Sequence, residues 1–134
     1  MKVVAPRLQT LISIRGAAED PAGGADGSAK NITLKGLTFA HSAPTYLEPY
    51  VVPSPGDWSV HRGGAIMLEG SEGATIAGCE FIRLGGNAIG ISGHVWHTSI
   101  TSSEFFKIGD SAIVSVGDFK LNDGVSSDDY PVTI

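Results

Sequence analysis

The sequence is poor in several residue types that would point to a familiar class of protein. Its single cysteine, Cys79, excludes an internal disulfide and any zinc site built from several cysteines. Charged residues are only 17% of the chain, and no lysine and arginine cluster offsets the net charge of −5, which argues against nucleic-acid binding. No apolar run approaches the ~20 residues of a membrane span, and the first residues lack the apolar centre of a signal peptide.

Glycine, by contrast, is abundant, with 18 in 134 residues, and the glycines recur at regular places. Many of them flank a motif of small and aliphatic residues that occurs at Gly63–Gly70, Gly86–Gly93 and Asp110–Gly117. The step between the anchoring isoleucines is almost constant, since the step from Ile66 to Ile89 is only one residue shorter than the step from Ile89 to Ile113. A regular step of about 20–30 residues is typical of stacked repeats, in which each unit buries its apolar face against its neighbours.

A second recurring segment precedes these copies and places an aliphatic residue five positions before a phenylalanine. It occurs at Leu34–Phe39, Ile76–Phe81 and Ile100–Phe105. Apolar residues alternate with polar or small ones in both segments, which is the pattern of short strands rather than helices. Leu11–Gly16 resembles an earlier copy of the first segment, and Pro131–Ile134 resembles the opening of a further coil.

These patterns predict an all-β fold, a right-handed parallel β-helix of about four to five coils that occupies residues 1–134 as one domain. Ile66, Ile89 and Ile113 would form one interior row and the three phenylalanines another, with coils about 4.8 Å apart. A β-sandwich is the alternative. Two loop insertions, near 17–29 and 42–62, interrupt the repeat, and the second carries aromatic, acidic and basic side chains.

The segment Asp57–Ala65, followed by Gly85–Ile89, resembles the right-handed β-helix proteins of the pectate-lyase-like superfamily, and in particular the β-helix repeat proteins grouped with glycoside hydrolases. The resemblance covers residues 8–134 and implies a polysaccharide hydrolase or lyase that acts in a groove along one sheet. A non-catalytic polysaccharide-binding or structural β-helix, as in adhesins, is the alternative. Such proteins have more coils and polar end caps, so we expect this chain to be a fragment of a longer helix. The resemblance also favours an extracellular or cell-surface location.

Glycoside hydrolysis takes two carboxyl groups, whereas elimination at a uronate takes a base and a group that neutralises the carboxylate. In this fold such residues should lie in the second insertion and at coil corners beside it. The candidate catalytic residues are Asp57, His61, Asp110 and Glu69, and the candidate substrate-binding residues are Arg62, Trp58, Tyr46 and Tyr50. Here His61 would carry a proton, Arg62 would clamp a carboxylate, and the aromatic rings would stack on sugars.

Structural roles compete with each of these assignments. Asp57, His61 and Arg62 can instead anchor the loop through salt bridges, and the aromatic residues can pack within the insertion. Asn87 and Asp110 are separated by the same step as Ile66 and Ile89, so they are expected at equivalent coil corners, where they can form a polar ladder. For Glu69, later coils are expected to place Ser92 and Val116 at about its position.

Other polar residues are expected to have no catalytic role. Glu80 and Glu104 should be solvated neighbours one coil apart, since like charges that close would repel. His94 and His97 are expected on opposite faces as separate surface histidines, and Cys79 as a buried filler. The sequence therefore predicts neither a metal site nor a cofactor.

Overall fold

The computed structural model describes residues 3–16, 27–50 and 59–117, together with the backbone of Val132–Thr133. Within these ranges the chain is all-β, with twelve strands and no helix. No helix in this part of the chain is therefore long and apolar enough to cross a bilayer. Most of the predicted first insertion lies outside the described residues, as do residues 51–58 of the second.

Parallel strands are arranged in three sheets, and the described chain visits sheets 1, 2 and 3 in the same order in successive turns. Sheet 1 contains β1 (Ile12–Arg15), β5 (Ile66–Glu72), β8 (Ile89–Trp96) and β11 (Ile113–Val116) in that order, with β2 (Ala29–Lys30) also pairing with β5. Sheet 2 contains β3 (Thr33–Lys35), β6 (Thr75–Ala77), β9 (Thr98–Thr101) and β12 (Val132–Thr133). Sheet 3 contains β4 (Thr38–Ala40), β7 (Glu80–Leu84) and β10 (Glu104–Ile108).

Every strand pairing within the described residues is parallel, which rules out the β-sandwich alternative because the strands of a sandwich pair antiparallel. The arrangement is consistent with a parallel β-solenoid. The structure also contains a strand in each of the two outer segments that the sequence marked as further copies. Ile12 pairs with Ile66 at one end of the stack, and Val132 pairs with Thr98 at the other.

The predicted interior row of isoleucines is confirmed by the strand register. Ile66 pairs with Ile89, and Ile89 pairs with Ile113. The first two are fully buried in the hydrophobic core, and Ile113 packs against that core from the last strand of sheet 1. The middle isoleucine is therefore shielded on both sides by the same kind of side chain.

The row of phenylalanines in sheet 3 is confirmed as well. Phe39 pairs with Phe81, and Phe81 pairs with Phe105. Their rings are stacked, with centroid separations of 5.1 Å and 4.8 Å and interplanar angles of 17° and 8°. Phe81 is completely buried between the other two, so the ring column fills the interior beside sheet 3.

A register shift in sheet 1 explains why the repeat step lengthens by one residue along the sequence. Glu69 pairs with Ser92, but two residues later Ser71 pairs with Val95, so β8 contains one extra residue in this stretch. Gly93 lies in the stretch and has a left-handed φ of 65°, which is the geometry of a β-bulge. Beyond the bulge the register follows the longer step, as for Ile76 with Ile100.

Left-handed backbone conformations recur at equivalent corners of successive coils, between strands or, at Arg83 and Lys107, one residue before a strand ends. Three columns of such residues line the stack, and most of their members are residue types that tolerate positive φ. The columns are Asn31, Gly73 and His97; Gly36, Gly78 and Ser102; and His41, Arg83 and Lys107. The third column is the exception, because it consists of a histidine and two long basic side chains.

Candidate functional site

The second insertion returns to sheet 1 and covers part of its outer face. Ile66 and Leu68 point into the core and are fully buried, so Met67 between them points outward. Met67 is nevertheless only 6% exposed. A β-carbon placed on its neighbour Gly90 would lie 2.9 Å from the Gly63 carbonyl oxygen and 2.9 Å from the Met67 sulfur. The backbone at Gly63 therefore lies directly on the sheet, which requires a glycine at position 90.

Asn87 attaches this covering segment to the sheet. Its side chain is 2% exposed, and its Nδ2 donates to the carbonyl oxygens of His61 and Gly63, at 2.9 Å each. Its Oδ1 accepts a hydrogen bond from the backbone N–H of Ser111 at 3.0 Å. The buried Asn87 amide thus connects its own coil to the insertion on one side and to the next coil on the other. This is the polar-ladder role that was the structural alternative for Asn87.

The expectation that Asp110 is equivalent to Asn87 is wrong by one residue. The register that pairs Ile89 with Ile113 places Ser111, not Asp110, beside Asn87. The shorter step between Ile66 and Ile89 does not apply between these two coils, because the chain from Asn87 to Ser111 passes through the bulge in β8. Asp110 is therefore exposed beyond the ladder position, where it is accessible to the insertion.

Three of the predicted site residues, Tyr50, His61 and Asp110, come together at this corner. The Tyr50 hydroxyl donates to Asp110 Oδ2 at 2.9 Å, and the Tyr50 and His61 rings are 5.5 Å apart between centroids. His61 Nδ1 is buried and has no hydrogen-bond partner within the described ranges. Proton exchange between His61 and a ligand would therefore have to use Nε2.

The pKa of the Tyr50 phenol is raised above its ordinary value. The neighbouring Thr45 side chain lowers it, but burial, the hydrogen bond to Asp110 and the negative charge of that carboxylate together outweigh this effect and raise it. At neutral pH Tyr50 is therefore a protonated hydrogen-bond donor.

Replacing Asp110 with asparagine is expected to lower the pKa of Tyr50. The substitution removes the negative charge that opposes ionisation of the phenol and preserves the size of the side chain. A pH titration followed by NMR of ring-labelled tyrosine would measure the shift. Glu48→Gln removes an equal charge from another part of the insertion and should leave the Tyr50 titration unchanged. An unchanged Tyr50 pKa in Asp110→Asn would contradict this contact.

Arg62 extends from the insertion across the outer face of sheet 1. Its Nη1 donates to Ser92 Oγ at 3.3 Å and to the carbonyl oxygen of Gly117 at 2.8 Å. Both acceptors belong to the protein, so the guanidinium fixes the insertion to β8 and to the residue that follows β11. The loop-anchor alternative therefore accounts for these contacts of Arg62.

Glu69 lies on the same outer face. It pairs with Arg15 on one side and Ser92 on the other, and Val116 follows in the next strand, as predicted. The carboxylate forms an ion pair with Arg15, with Nε and Oε2 3.2 Å apart, and both side chains are largely exposed. The Glu69 carboxylate is therefore accessible from the outer face while it is paired with Arg15.

Tyr46, another predicted site residue, does not join the cluster. Tyr46 is 72% exposed, in a turn of the insertion. Asp57 and Trp58 lie outside the described residues, so their roles stay predictions. Glu80 and Glu104 are exposed register neighbours in sheet 3, and Cys79 is 2% exposed in the core, both as expected.

Trp96, at the end of β8 on the outer face of sheet 1, was not among the predicted site residues. Trp96 is 37% exposed, follows the buried Val95, and pairs with Glu72. Glu72 in turn forms an ion pair with its register neighbour Lys30 at 3.2 Å. The available signal was the alternation in β8, since a tryptophan directly after an inward-facing valine must point outward.

The prediction that His94 and His97 lie on opposite faces is wrong. The His94 ring is 5.8 Å from the Trp96 ring and the His97 ring is 6.4 Å from it, between centroids. Alternation about the buried Val95 places His94 and Trp96 on one side of β8, but the left-handed conformation of His97 redirects the chain after the strand, so alternation does not extend to His97. The three rings form an aromatic and polar group at one end of the outer face.

The outer face of sheet 1 therefore carries ion pairs, hydroxyl groups and an exposed indole, with the insertion along one edge. Within the described part of the chain, no three His, Cys, Asp or Glu side chains are grouped so as to hold a metal ion. Comparison of the chain with models of known protein families, with curated proteins and with solved structures finds no match.

Proposed function

We propose that this chain is part of a right-handed parallel β-helix of the pectate-lyase-like kind, and that the outer face of sheet 1 binds a polysaccharide. The parallel strands in three sheets and the stacked interior columns support this proposal. A β-helix face is flat across several coils, so an extended polymer can lie along it. With strands about 4.8 Å apart, the four main strands of sheet 1 span about 14 Å of that length.

The observation that carries the proposal is the exposed indole of Trp96 on this polar face. Aromatic rings bind the apolar faces of sugars, while neighbouring charged and hydroxyl groups bind their hydroxyls. Trp96 lies beside Glu72, and Glu69 and Ser92 continue the face toward Arg62. Exposed aromatic and hydrogen-bonding groups thus occur together within one sheet.

The described carboxylates favour binding over hydrolysis. Hydrolysis needs two carboxyl groups, ~5–9.5 Å apart, one of them a proton donor in the first step. Glu69 is paired with Arg15, Glu72 with Lys30, and Asp110 accepts a hydrogen bond from Tyr50. All three carboxylates therefore have protein partners, which is the arrangement of a binding surface.

The cluster of Tyr50, His61 and Asp110 supports an enzymatic function as the second candidate. A protonated phenol beside an imidazole, with the Arg62 guanidinium on the same insertion, has the proton-carrying and carboxylate-binding groups of a uronate elimination. In that scheme His61 would take the proton from the sugar carbon, and Tyr50 would protonate the leaving oxygen. Asp57, another of the predicted catalytic residues, would form a hydrolytic pair with Asp110 only if the two carboxylates lie on opposite sides of the bound sugar.

Replacing Trp96 with alanine is expected to weaken polysaccharide binding about tenfold. Loss of one central aromatic contact typically costs ~1–2 kcal/mol, and 1.4 kcal/mol corresponds to a factor of ten. The protein would first be screened on a glycan array, and the affinity for the best glycan then measured by calorimetry for each variant. Trp96→Phe, which preserves a smaller ring, should retain most of the affinity.

Two results would contradict this proposal: the absence of saturable glycan binding by the unmodified chain, or equal affinities of Trp96→Ala and the unmodified protein. Product analysis separates the enzymatic candidate from binding alone. Elimination would yield unsaturated ends that absorb ultraviolet light, and hydrolysis would yield only new reducing ends. Activity that is lost in His61→Ala would favour the enzymatic candidate, and intact polymer after prolonged incubation would exclude it for this chain.

A further inference from the structure

The third corner column, at the end of sheet 3, consists of His41, Arg83 and Lys107. All three have left-handed backbone conformations, with φ values of 60°, 51° and 54°. The side chains of Arg83 and Lys107 are exposed and lie one coil apart, ~4.8 Å along the stack. The corner therefore presents a row of basic groups on a chain whose net charge is −5.

The fold does not require basic residues in this column. Like charges on neighbouring strands repel, and a long side chain at positive φ is less favourable than glycine or asparagine. Gly36 and Gly78 occupy the equivalent positions of another corner column. Neither Arg83 nor Lys107 forms an ion pair with any residue in the described ranges. The two cations thus lie in an unusual backbone conformation and are not neutralised by a carboxylate of the described ranges.

An exposed aromatic ring lies next to the basic row. Phe106 is 55% exposed, and it pairs with Ile82 on the outer face of sheet 3. The Lys107 Nζ lies 5.3 Å from the centroid of the Phe106 ring. An apolar ring and two cations are therefore adjacent on one surface, and the exposed carboxylates Glu80 and Glu104 lie at the opposite end of the same strands.

We propose that this surface, formed by Phe106, Arg83 and Lys107, is a second binding site, and that its ligand is an acidic oligosaccharide. The sugar ring stacks on Phe106, and acidic groups on successive sugars pair with Lys107 and Arg83. A neutral sugar would leave the two cations unpaired, and two cations are too few to hold a duplex nucleic acid by its phosphates. The site lies on sheet 3, so it does not depend on the binding proposed for sheet 1.

The test measures binding in the Trp96→Ala background, where sheet 1 no longer contributes its indole. The probes are a galacturonate oligomer, a heparin oligomer and a neutral galactose oligomer of matched length, which distinguish carboxylate, sulfate and uncharged sugars. The test variant is Arg83→Asn/Lys107→Asn, because asparagine tolerates positive φ and so removes the charges without adding strain. The matched control is Arg7→Asn/Lys35→Asn, which removes the same charge from two other exposed positions.

We expect the acidic probes to bind saturably, to bind more weakly as salt increases, and to lose about tenfold in affinity in the Arg83→Asn/Lys107→Asn variant. The control variant should bind as tightly as its parent. Phe106→Ala should weaken the binding of the same probes. The proposal is overturned if the acidic probes do not bind, if both double variants lose affinity equally, or if the neutral oligomer binds equally well. Tighter binding of a single-stranded DNA oligomer would overturn it too.

Discussion

Ile89→Asp is expected to abolish folding of the stack. Ile89 is fully buried, with Ile66 and Ile113 as its register neighbours in sheet 1. The substitution removes a buried aliphatic side chain and places a carboxylate among the apolar side chains of the core. The combined cost is about 5 kcal/mol or more, which is comparable to the whole stability of a typical domain. Circular dichroism and urea denaturation would measure the loss.

Two variants distinguish this effect from a general intolerance of substitution. Ile89→Val removes one methylene and should cost only about 1 kcal/mol. Leu37→Asp introduces the same charge at a position that is 43% exposed, so the change in stability should be small. A soluble Ile89→Asp protein with an unchanged spectrum and unfolding midpoint would show that the assigned interior row is incorrect.

The interior of this protein could be predicted from the sequence because packing repeats with the chain. Ile66, Ile89 and Ile113 recur at almost constant steps, each phenylalanine of sheet 3 follows an aliphatic residue by five positions, and both sets stack as expected. In a parallel stack each side chain contacts its equivalent in the next coil. A repeat in the sequence therefore predicts which residues contact each other in the stack.

Corner residues were less predictable because a single-residue bulge changes the register. The step from Asn87 to Asp110 equals the step between β5 and β8, but the coil that joins these two residues contains the bulge and is one residue longer. A second departure from alternation occurs at His97, whose left-handed backbone leaves its ring 6.4 Å from that of Trp96. A local rule of alternation does not detect such an extra residue, although Gly93 is the residue type that permits it.

The placement of the second insertion could not be predicted, because it has no counterpart in other coils. The composition of the insertion does not predict that Gly63 packs on Gly90. It also does not predict that Arg62 forms hydrogen bonds with Ser92 and Gly117. These contacts depend on the shape of the outer face of sheet 1. Trp96 was missed for a related reason, since a single aromatic residue outside the insertion does not repeat.

Asn87→Ala is expected to release the insertion from sheet 1 at a cost of about 3 kcal/mol. The substitution removes three hydrogen bonds, to His61, Gly63 and Ser111, each worth ~1 kcal/mol, at a buried site where water does not replace them easily. Because the isoleucine row is untouched, the protein should still fold. Urea denaturation would measure the loss of stability.

Hydrogen exchange would locate the same effect in the structure. The Ser111 amide loses its acceptor, Asn87 Oδ1, so its exchange should accelerate more than that of an amide within the sheet 3 ladder. Ser111→Ala is the matched control, because the bond to Asn87 uses the backbone N–H and survives this substitution. An Asn87→Ala protein with unchanged stability and an equally protected Ser111 amide would mean that packing at Gly63 and Gly90 holds the insertion without the amide. Since the insertion carries His61 and Arg62, its release in Asn87→Ala would also remove both groups from the edge of the proposed polysaccharide face while leaving Trp96 in place.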